Sequence, residues 1–195
     1  MLDKSAKFIF ERLGVTKIVL LNGIGSAGKS TLARAILAEA KDIFLHVPMD
    51  YWLEMMPQRT LGTPEGLTFV LDAAGRVTGV VSGPEQERAL RGMRRAVAAM
   101  AAEGCNMVVD EVIFDAAVVA EYRALLAAHD FHAVGVHAPL VVLEARETAR
   151  GDRAIGLAKS QFGVVHAGVA YDLEIDTSKG SPEDCARIVV EAFGL

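Results

Sequence analysis

Apolar runs typical of buried strands alternate along the chain with alanine-rich stretches of helical period. Residues 17–22 (KIVLLN) form a short continuous apolar run, which indicates a strand buried in a parallel sheet. Residues 30–41 repeat apolar positions at a helical period and predict a helix. Further strands are predicted at residues 43–49, 106–112, 132–138 and 172–176, and further helices at 85–103, near 116–129, at 140–159 and from 182 to about 192. This alternation predicts an α/β fold in which helices cover both faces of a parallel sheet.

One stretch, residues 58–83, interrupts the alternation. It is rich in glycine and contains two β-type pieces, residues 67–71 and 76–81. The four residues between these pieces, DAAG, are typical of a hairpin turn. We therefore expect a single domain over residues 1–195, with an inserted hairpin or flap over residues 58–84 beside the sheet.

Composition narrows the range of functions. Lys and Arg number 20 against 25 Asp and Glu, a net charge of -5, and no basic stripe of the kind that binds nucleic acid is visible. The only cysteines, Cys105 and Cys185, form no CxxC pair, which excludes a disulfide scaffold and fits a reducing compartment. No apolar run is long enough for a membrane span, and the first residues do not form a signal peptide. We expect a cytoplasmic domain without nucleic-acid or membrane partners.

The strongest local signal is residues 23–30 (GIGSAGKS), which stand between a predicted strand and a predicted helix. Glycines allow backbone N–H groups to face phosphate oxygens, and the helix N-terminus adds a favourable dipole. Lys29 is expected to reach the β- and γ-phosphates, and the Ser30 hydroxyl to ligate Mg²⁺. The residues predicted to hold the nucleotide here are Gly23, Gly25, Ser26, Ala27, Gly28, Lys29, Ser30 and Thr31.

The same glycines also satisfy the pattern GxGxxG, through Gly23, Gly25 and Gly28. Asp50 ends the second predicted strand, where a dinucleotide fold places the acid that binds ribose. The pair Lys29-Ser30 favours a phosphate loop, because the dinucleotide pattern has no use for a lysine there. A dinucleotide-binding oxidoreductase nevertheless stays an alternative at this point.

Three arginines, Arg146, Arg150 and Arg153, are spaced so that they share one face of a predicted helix. Together with a phosphate loop, this spacing indicates a lid over residues 144–165. Its arginines would neutralise charge on the transferring phosphoryl group, with Arg146 assigned to the nucleotide. A solvated charged face is the alternative.

Acids at two strand ends complete the candidate site. Asp110, followed by Glu111, ends the strand expected beside the phosphate loop, where a carboxylate can hold Mg²⁺ or merely cap the next loop. Asp50 is the predicted catalytic base, which would orient an acceptor hydroxyl and take its proton. Asp50 could also N-cap a helix over residues 51–56, which is compatible with that role. The polar loop 176–180 stands where adenine lies in phosphate-loop kinases, although turn chemistry explains its composition equally well.

With these residues assembled, the chain resembles the chloramphenicol phosphotransferase family of phosphate-loop kinases from about Lys17 to Val190. The matching blocks are LNGIGSAGKS, VVDEVIF, ETARGDR and VVHAGVAYDLEIDTS. The resemblance implies five parallel strands in the order 2-3-1-4-5. It also implies transfer of the γ-phosphate of ATP, with Mg²⁺, to a primary hydroxyl of chloramphenicol or a similar molecule, an activity linked to antibiotic resistance.

The resemblance also implies roles for individual residues. Asp50 matches the family's general base, Lys29 and Ser30 its residues for the nucleotide and Mg²⁺, and Arg150 and Arg153 its lid arginines. Three further residues match positions that shape the site: His166, Tyr171 and Asp172. Residues 51–82 depart from the family pattern, so a kinase of another metabolite or nucleotide, or a nucleotide switch without catalysis, stays an alternative.

Overall fold

The computed structural model describes residues 15–151 and 154–195, and its strands form one large sheet and one hairpin. The strands are β1 (Lys17–Gly23), β2 (Phe44–Pro48), β3 (Leu67–Leu71), β4 (Val77–Ser82), β5 (Asn106–Glu111), β6 (Asp130–His137) and β7 (Leu173–Asp176). Neighbours in the large sheet follow the order β2-β5-β1-β6-β7, and every pairing is parallel. When the hairpin strands β3 and β4 are left out and the other five strands are numbered 1 to 5 along the chain, this order becomes 2-3-1-4-5, as the resemblance implies. The predicted α/β fold is confirmed.

Helices cover both faces of this sheet. They are α1 (Lys29–Glu39), α2 (Met49–Glu54), α3 (Pro84–Ala102), α4 (Ala116–Leu125), α5 (Leu140–Arg150), α6 (Leu157–Gln161) and α7 (Pro182–Phe193), with a 3₁₀ turn at Gln58–Thr60. Local sequence accounts for several helix starts: proline occupies the first turn of α3 and of α7, and Ser181 and Asp184 form a capping box for α7. No helix among the described residues combines the length and apolarity that crossing a bilayer demands.

Strand β1 lies between two hydrophobic cores, which explains its continuous apolar run. Its side chains alternate between the faces of the sheet, so Val19 and Leu21 pack in the core that contains α1 and α7. Ile18 and Leu20 pack in the opposite core, against residues of α3 and α4. All four side chains are fully buried. Because β1 is held from both faces, the loop at its carboxyl end starts from a fixed position.

The predicted hairpin is present as the antiparallel pair β3 and β4. Its turn is fixed by Asp72, whose Oδ1 accepts hydrogen bonds from the backbone N–H groups of Ala74 (2.8 Å) and Arg76 (2.9 Å), and Gly75 adopts a φ of 75°. The hairpin is tied to the rest of the chain where the Val77 N–H donates to the Ile155 carbonyl (2.8 Å). Through this bond, the hairpin contacts the segment that precedes α6.

The single helix predicted for residues 140–159 is wrong. The apolar period continues through this stretch, but α5 ends at Arg150 and α6 begins only at Leu157. Gly151 and Gly156 both have positive φ, 68° and 93°, a conformation that ends one helix and precedes the next at little cost for glycine. Arg153, assigned to the same helix face as Arg146 and Arg150, lies outside the described residues.

Candidate active site

The loop between β1 and α1 has the backbone shape of an anion-binding loop. Ser26 and Gly28 have positive φ values of 65° and 90°, and a Cβ at Gly23 would lie only 2.4 Å from the Val136 carbonyl oxygen. Gly28 is the N-cap of α1, so no capping side chain competes for the N–H groups of its first turn. These groups and the helix dipole favour a phosphate at this position.

Lys29 begins α1 and turns its ammonium group back over the loop. Its Nζ donates hydrogen bonds to the carbonyl oxygens of Gly23 (2.9 Å) and Ile24 (3.2 Å) and lies 3.9 Å from Asp110 Oδ1. The residue is buried, with 7% of its surface exposed. A buried cation in this position needs an anionic partner, which Asp110 supplies in part.

Ser30 and Asp110 bring two oxygen ligands together beside Lys29. The Ser30 hydroxyl donates to Asp110 Oδ2 at 2.6 Å, and His46 Nε2 lies 3.5 Å from the same oxygen. Burial alone would raise the pKa of the Asp110 carboxyl, but the His46 imidazole, the Lys29 charge and the Ser30 hydroxyl outweigh burial and hold that pKa below its ordinary value. Asp110 is therefore ionised at neutral pH.

This oxygen pair is compatible with Mg²⁺, which proteins hold through one or two carboxylates together with substrate phosphates and water. Among the described residues, no group of three or more His, Cys, Asp or Glu side chains is placed to hold a metal ion by itself. The donor set therefore suits an ion that takes its other ligands from phosphate and water, and it does not suit a zinc site.

Glu111, the next residue, points to a different environment. Its carboxylate is 2% exposed, accepts a hydrogen bond from the Tyr122 hydroxyl (2.8 Å) and lies 3.8 Å from Arg94 Nη1. Burial raises the pKa of Glu111 to about 7, although the Tyr122 hydrogen bond and the Arg94 charge oppose the increase. Glu111 is therefore part of a buried polar cluster, and it does not cap the loop that follows β5.

A cavity of about 770 Å³ joins the phosphate loop to the carboxyl end of β2. The predicted residues that line it are Gly25, Ser26, Gly28, Lys29, Ser30, Thr31, Asp50, Asp110 and Arg150. Asp50 lies in the first turn of α2, which begins at Met49 after the N-cap Pro48. The interpretation of Asp50 as the N-cap of a helix over residues 51–56 is therefore wrong. Asp50 instead faces the same cavity as Lys29.

A second cavity, of about 470 Å³, lies on the other side of the phosphate loop, and Arg146, Thr177, Gly180 and Cys185 contribute to its lining. The Arg146 guanidinium donates from Nη1 to Thr177 Oγ1 and from Nη2 to the Thr177 carbonyl, both at 3.0 Å. Thr177 Oγ1 in turn donates to the Ala27 carbonyl at 2.7 Å. The polar loop after β7 is thereby fixed against the phosphate loop.

A family model described as chloramphenicol phosphotransferase-like protein matches residues 16–194 of the chain. The chain belongs to this family. Proteins from two Mycobacterium tuberculosis strains, provisionally named as O-phosphotransferases, are 29% identical over 184 residues, which span 91% of this chain and 82% of theirs. Family membership makes the protein a kinase-type enzyme that acts on a hydroxyl group. This membership favours the phosphate-loop interpretation of residues 23–28 over the dinucleotide-binding one, and the oxidoreductase alternative is set aside.

Solved structures support the same fold. A sugar kinase from Janibacter sp. has a TM-score of 0.65 at 17% identity, with 92% of this chain and 95% of that chain covered. An APS kinase from Mycobacterium tuberculosis, solved with AMPPNP and APS, has a TM-score of 0.60 at 21% identity, with coverage of 93% and 99%. A tunicamycin resistance protein from Deinococcus radiodurans gives 0.63 at 19% identity, with coverage of 92% and 96%. At these identities the likeness establishes the shared fold.

Not all of the predicted site residues line these cavities. Gly23 and Ala27 shape the loop without lining either one, and His166, Tyr171 and Asp172 are also absent from both linings. Arg153 lies outside the described residues. His166 and Tyr171 instead support the loop from behind, whereas the Asp172 carboxylate accepts hydrogen bonds from the Ala133 N–H and from Arg123.

That support is a hydrogen-bonded network around Asn22, the residue before the loop. Asn22 Nδ2 donates to the Tyr171 hydroxyl (2.7 Å) and the Val165 carbonyl (3.1 Å), and Asn22 Oδ1 accepts from the Ile113 N–H (2.9 Å). The Tyr171 hydroxyl also bonds with His166 Nδ1 at 2.8 Å. Asn22 thereby holds together β1, the residues after β5 and the segment before β7.

Three contacts at the loop were missed by sequence reasoning. Gln161 Oε1 accepts a hydrogen bond from the Gly25 N–H (2.7 Å), His46 contacts Asp110, and Thr177 holds Arg146. Each joins residues far apart in the chain, so no local pattern carried a signal for the first two. The polar composition of residues 176–180 was the one available hint for the third.

His166 is expected to make the protein less stable as the pH falls from about 6.5 to about 4. Burial, then the charges of His137 and Lys29, lower the pKa of His166 from 6.5 to about 4. Between these values the unfolded chain binds a proton that the folded protein does not, so the free energy of unfolding decreases with falling pH and is unaffected by this group above about 6.5. Because the ring is only half-buried, we expect an effect of about 1–2 kcal/mol.

Urea unfolding of the wild type and of His166→Asn at several pH values tests this expectation. In the variant, the free energy of unfolding should decrease less between pH 6.5 and pH 4 than in the wild type, because asparagine does not titrate. A variant with the same pH dependence as the wild type would show that another group is responsible.

Proposed function

We propose that the protein transfers the γ-phosphate of ATP, bound with Mg²⁺, to a hydroxyl group of a small molecule, with chloramphenicol as the first candidate acceptor. The observation that supports this proposal is that Lys29, the Ser30–Asp110 pair and Asp50 all line one cavity. Nucleotide and acceptor groups therefore have a common space in which to meet. The acidic net charge fits a small-molecule partner in the cytoplasm rather than a nucleic acid.

The phosphate loop would bind the nucleotide phosphates through its backbone N–H groups, with the Lys29 ammonium against the β- and γ-phosphates. Ser30 and Asp110 would hold Mg²⁺, which neutralises charge on the phosphate oxygens when bound. Arg150, the last residue of α5, also lines this cavity and would add positive charge from the lid side. Arg153 is retained in the proposal as the second lid arginine.

Asp50 would act as the catalytic base. From the first turn of α2 its carboxylate can accept a hydrogen bond from the acceptor hydroxyl and orient the oxygen toward the γ-phosphate. As the oxygen–phosphorus bond forms, the hydroxyl proton passes to the carboxylate, and the bond from phosphorus to the β-phosphate oxygen breaks to leave ADP. The positive charge of Lys29 and Arg150 would balance the charge that develops on the transferring group.

Replacement of Arg146 by alanine is expected to weaken ATP binding by about tenfold. Its guanidinium is fixed by Thr177 beside the second cavity, where it offers a flat surface on which an adenine ring can stack. Isothermal titration with ATP measures the effect, with Arg187→Ala on the exposed face of α7 as the matched control. Equal affinity of both variants would remove Arg146 from the nucleotide site.

The function is tested by ADP release from Mg-ATP with and without chloramphenicol, alongside a panel of other hydroxyl compounds. Stimulation by chloramphenicol is expected and would establish that a compound of this class can serve as acceptor. Stimulation only by another compound would retain the kinase and replace the acceptor, because residues 51–82, which include α2 and the hairpin, are the part that departs from the family pattern. ATP binding without stimulation by any acceptor would contradict the proposal and favour a nucleotide switch.

A further inference from the structure

The acceptor side of the main cavity has an unusual combination of apolar walls and carboxyl groups. Here this side means the lining contributed by α2, by the hairpin, by α3 and by residues 110–118. Its described charged residues are Arg94 and the acids Asp50, Glu54, Glu87, Asp110, Glu111 and Asp115. Apolar contacts come from Leu53, Leu67, Phe69, Val80, Leu90 and Val118. A single guanidinium thus stands among six carboxyl groups in this described part of the lining.

Arg94 does not offset the negative charge of these carboxyl groups, because its guanidinium is already bound by carboxylates. The Arg94 Nε donates to Glu121 Oε2 at 2.6 Å, and Nη1 lies 3.8 Å from Glu111 Oε1. The guanidinium is 5% exposed and lies between the two acids. Glu121 also pairs with Arg95 at 3.4 Å, so the Arg94 guanidinium is engaged in a buried polar cluster and is not directed at an acceptor.

Gln86 gives an independent indication that a ligand binds at this wall. Only 5% of its surface is exposed, it lines the cavity, and its carboxamide forms no hydrogen bond with any described residue. The amide atoms of Gln86 are not sealed from the cavity, so water or a ligand there can satisfy them. An acceptor group in the cavity would supply the missing partner.

Glu87 follows Gln86 in the first turns of α3 and also lines the cavity. The side chain is half-buried, and its carboxylate forms neither an ion pair nor a hydrogen bond with another described residue. Its negative charge lies close enough to raise the pKa of Glu111, which places it beside the Arg94 cluster. Gln86 and Glu87 together offer one amide oxygen and one carboxylate to a group that donates hydrogen bonds.

We propose that the acceptor carries, besides the hydroxyl that is phosphorylated, a protonated amine that is bound by Gln86 and Glu87 at the α3 wall. This inference rests on the proposed function and names its substrate class. The Glu87 carboxylate has no described cationic partner, so it would stabilise a partly desolvated cation beside it. An anion would be repelled by the same wall. The apolar side chains of this side of the cavity would contact the body of the acceptor.

The test uses three arylpropanediols that share one carbon skeleton and differ in the group on nitrogen. They are the free amine obtained by deacylation of chloramphenicol (cation), chloramphenicol itself (neutral amide) and the N-succinyl amide (anion). At neutral pH we expect kcat/KM for ADP release to be about tenfold higher with the amine than with the neutral amide, and lowest with the anion.

Two variants connect this preference to the wall. Glu87→Gln is expected to reduce the amine-to-amide ratio of kcat/KM by about tenfold, because the charge is lost while the shape is kept. Gln86→Leu, which removes the amide at similar volume, should lower the same ratio. The matched control is Glu85→Gln, an exposed glutamate of the same helix turn that is paired with Arg88 and lies outside the cavity lining, and it should keep the wild-type ratio.

An amide or anion that is used as well as the amine, or a ratio that Glu87→Gln leaves unchanged, would overturn the inference. If none of the three compounds stimulates ADP release, the test moves to the hydroxyl compound of the panel that does stimulate it. A cationic compound supports the inference, and a neutral or anionic one overturns it. If no compound at all stimulates ADP release, the proposed function itself has failed. The inference, which rests on that function, is then also wrong.

Discussion

Asp50→Asn is expected to lower the rate of phosphoryl transfer by a factor of at least about 10², the usual contribution of a general base. Asparagine keeps the size of the side chain and a hydrogen-bond acceptor for the hydroxyl, but it cannot take the proton at neutral pH. ATP affinity should be little changed, because Asp50 lies on α2 and the nucleotide phosphates are expected at the loop before α1. Steady-state ADP release with a working acceptor measures the first expectation, and isothermal titration with ATP measures the second.

Asp42→Asn is the matched control for this substitution, since Asp42 is exposed and precedes β2 outside both cavities. It should keep wild-type turnover. If Asp50→Asn also turned over at nearly the wild-type rate, Asp50 would lose its proposed role, and the proton would have to pass to another group.

Lys29→Ala is expected to reduce turnover by about 10²–10³, comparable to the loss of a preorganised donor in other active sites. The ammonium is held by two loop carbonyls and by proximity to Asp110, so it needs little rearrangement to meet a phosphate. Unlike Asp50→Asn, this substitution should also weaken ATP binding, because the lysine is expected to contact the β- and γ-phosphates in the ground state.

Lys29→Ala should change stability as well. Asp110 stays buried but loses a nearby positive charge, which we expect to lower the free energy of unfolding by about 1–3 kcal/mol in urea. Lys41→Ala, at an exposed lysine shortly after α1, is the control for both measurements. Unchanged turnover in Lys29→Ala, with unchanged ATP affinity, would contradict the assignment of residues 23–30 as a working phosphate loop.

Sequence periodicity predicted the elements that depend on local signals. The apolar run of β1 is buried on both faces, and the turn at Asp72–Gly75 has the sequence that its hydrogen bonds require. The helix break at Gly151 was missed, because apolar residues continue at a helical period on both sides of it and their spacing outweighed the glycine. The strand order was implied by the family resemblance, since periodicity cannot tell which strands pair.

The candidate site likewise contains residues that could be predicted from local sequence and contacts that could not. The loop, Asp50 and Asp110 could be proposed from sequence because each stands in a recognisable local context, at or just beyond the carboxyl end of a strand. The contacts of Gln161 with Gly25 and of Arg94 with Glu111 and Glu121 could not, because each joins separate elements brought together only by the tertiary fold. Glu111 illustrates the difference: it adjoins Asp110 in sequence, yet its carboxylate belongs to a buried cluster with Tyr122.

The most direct test of the central claim is to follow the phosphoryl group itself. The protein is incubated with Mg-ATP labelled with ¹⁸O in the γ-phosphate and with the panel of hydroxyl compounds, and the products are identified by mass spectrometry. We predict that one acceptor gains the labelled phosphoryl group, and that this product is almost absent with Asp50→Asn. Appearance of the label only in free phosphate, at a rate that no acceptor changes, would contradict the assignment of the protein as a small-molecule O-phosphotransferase.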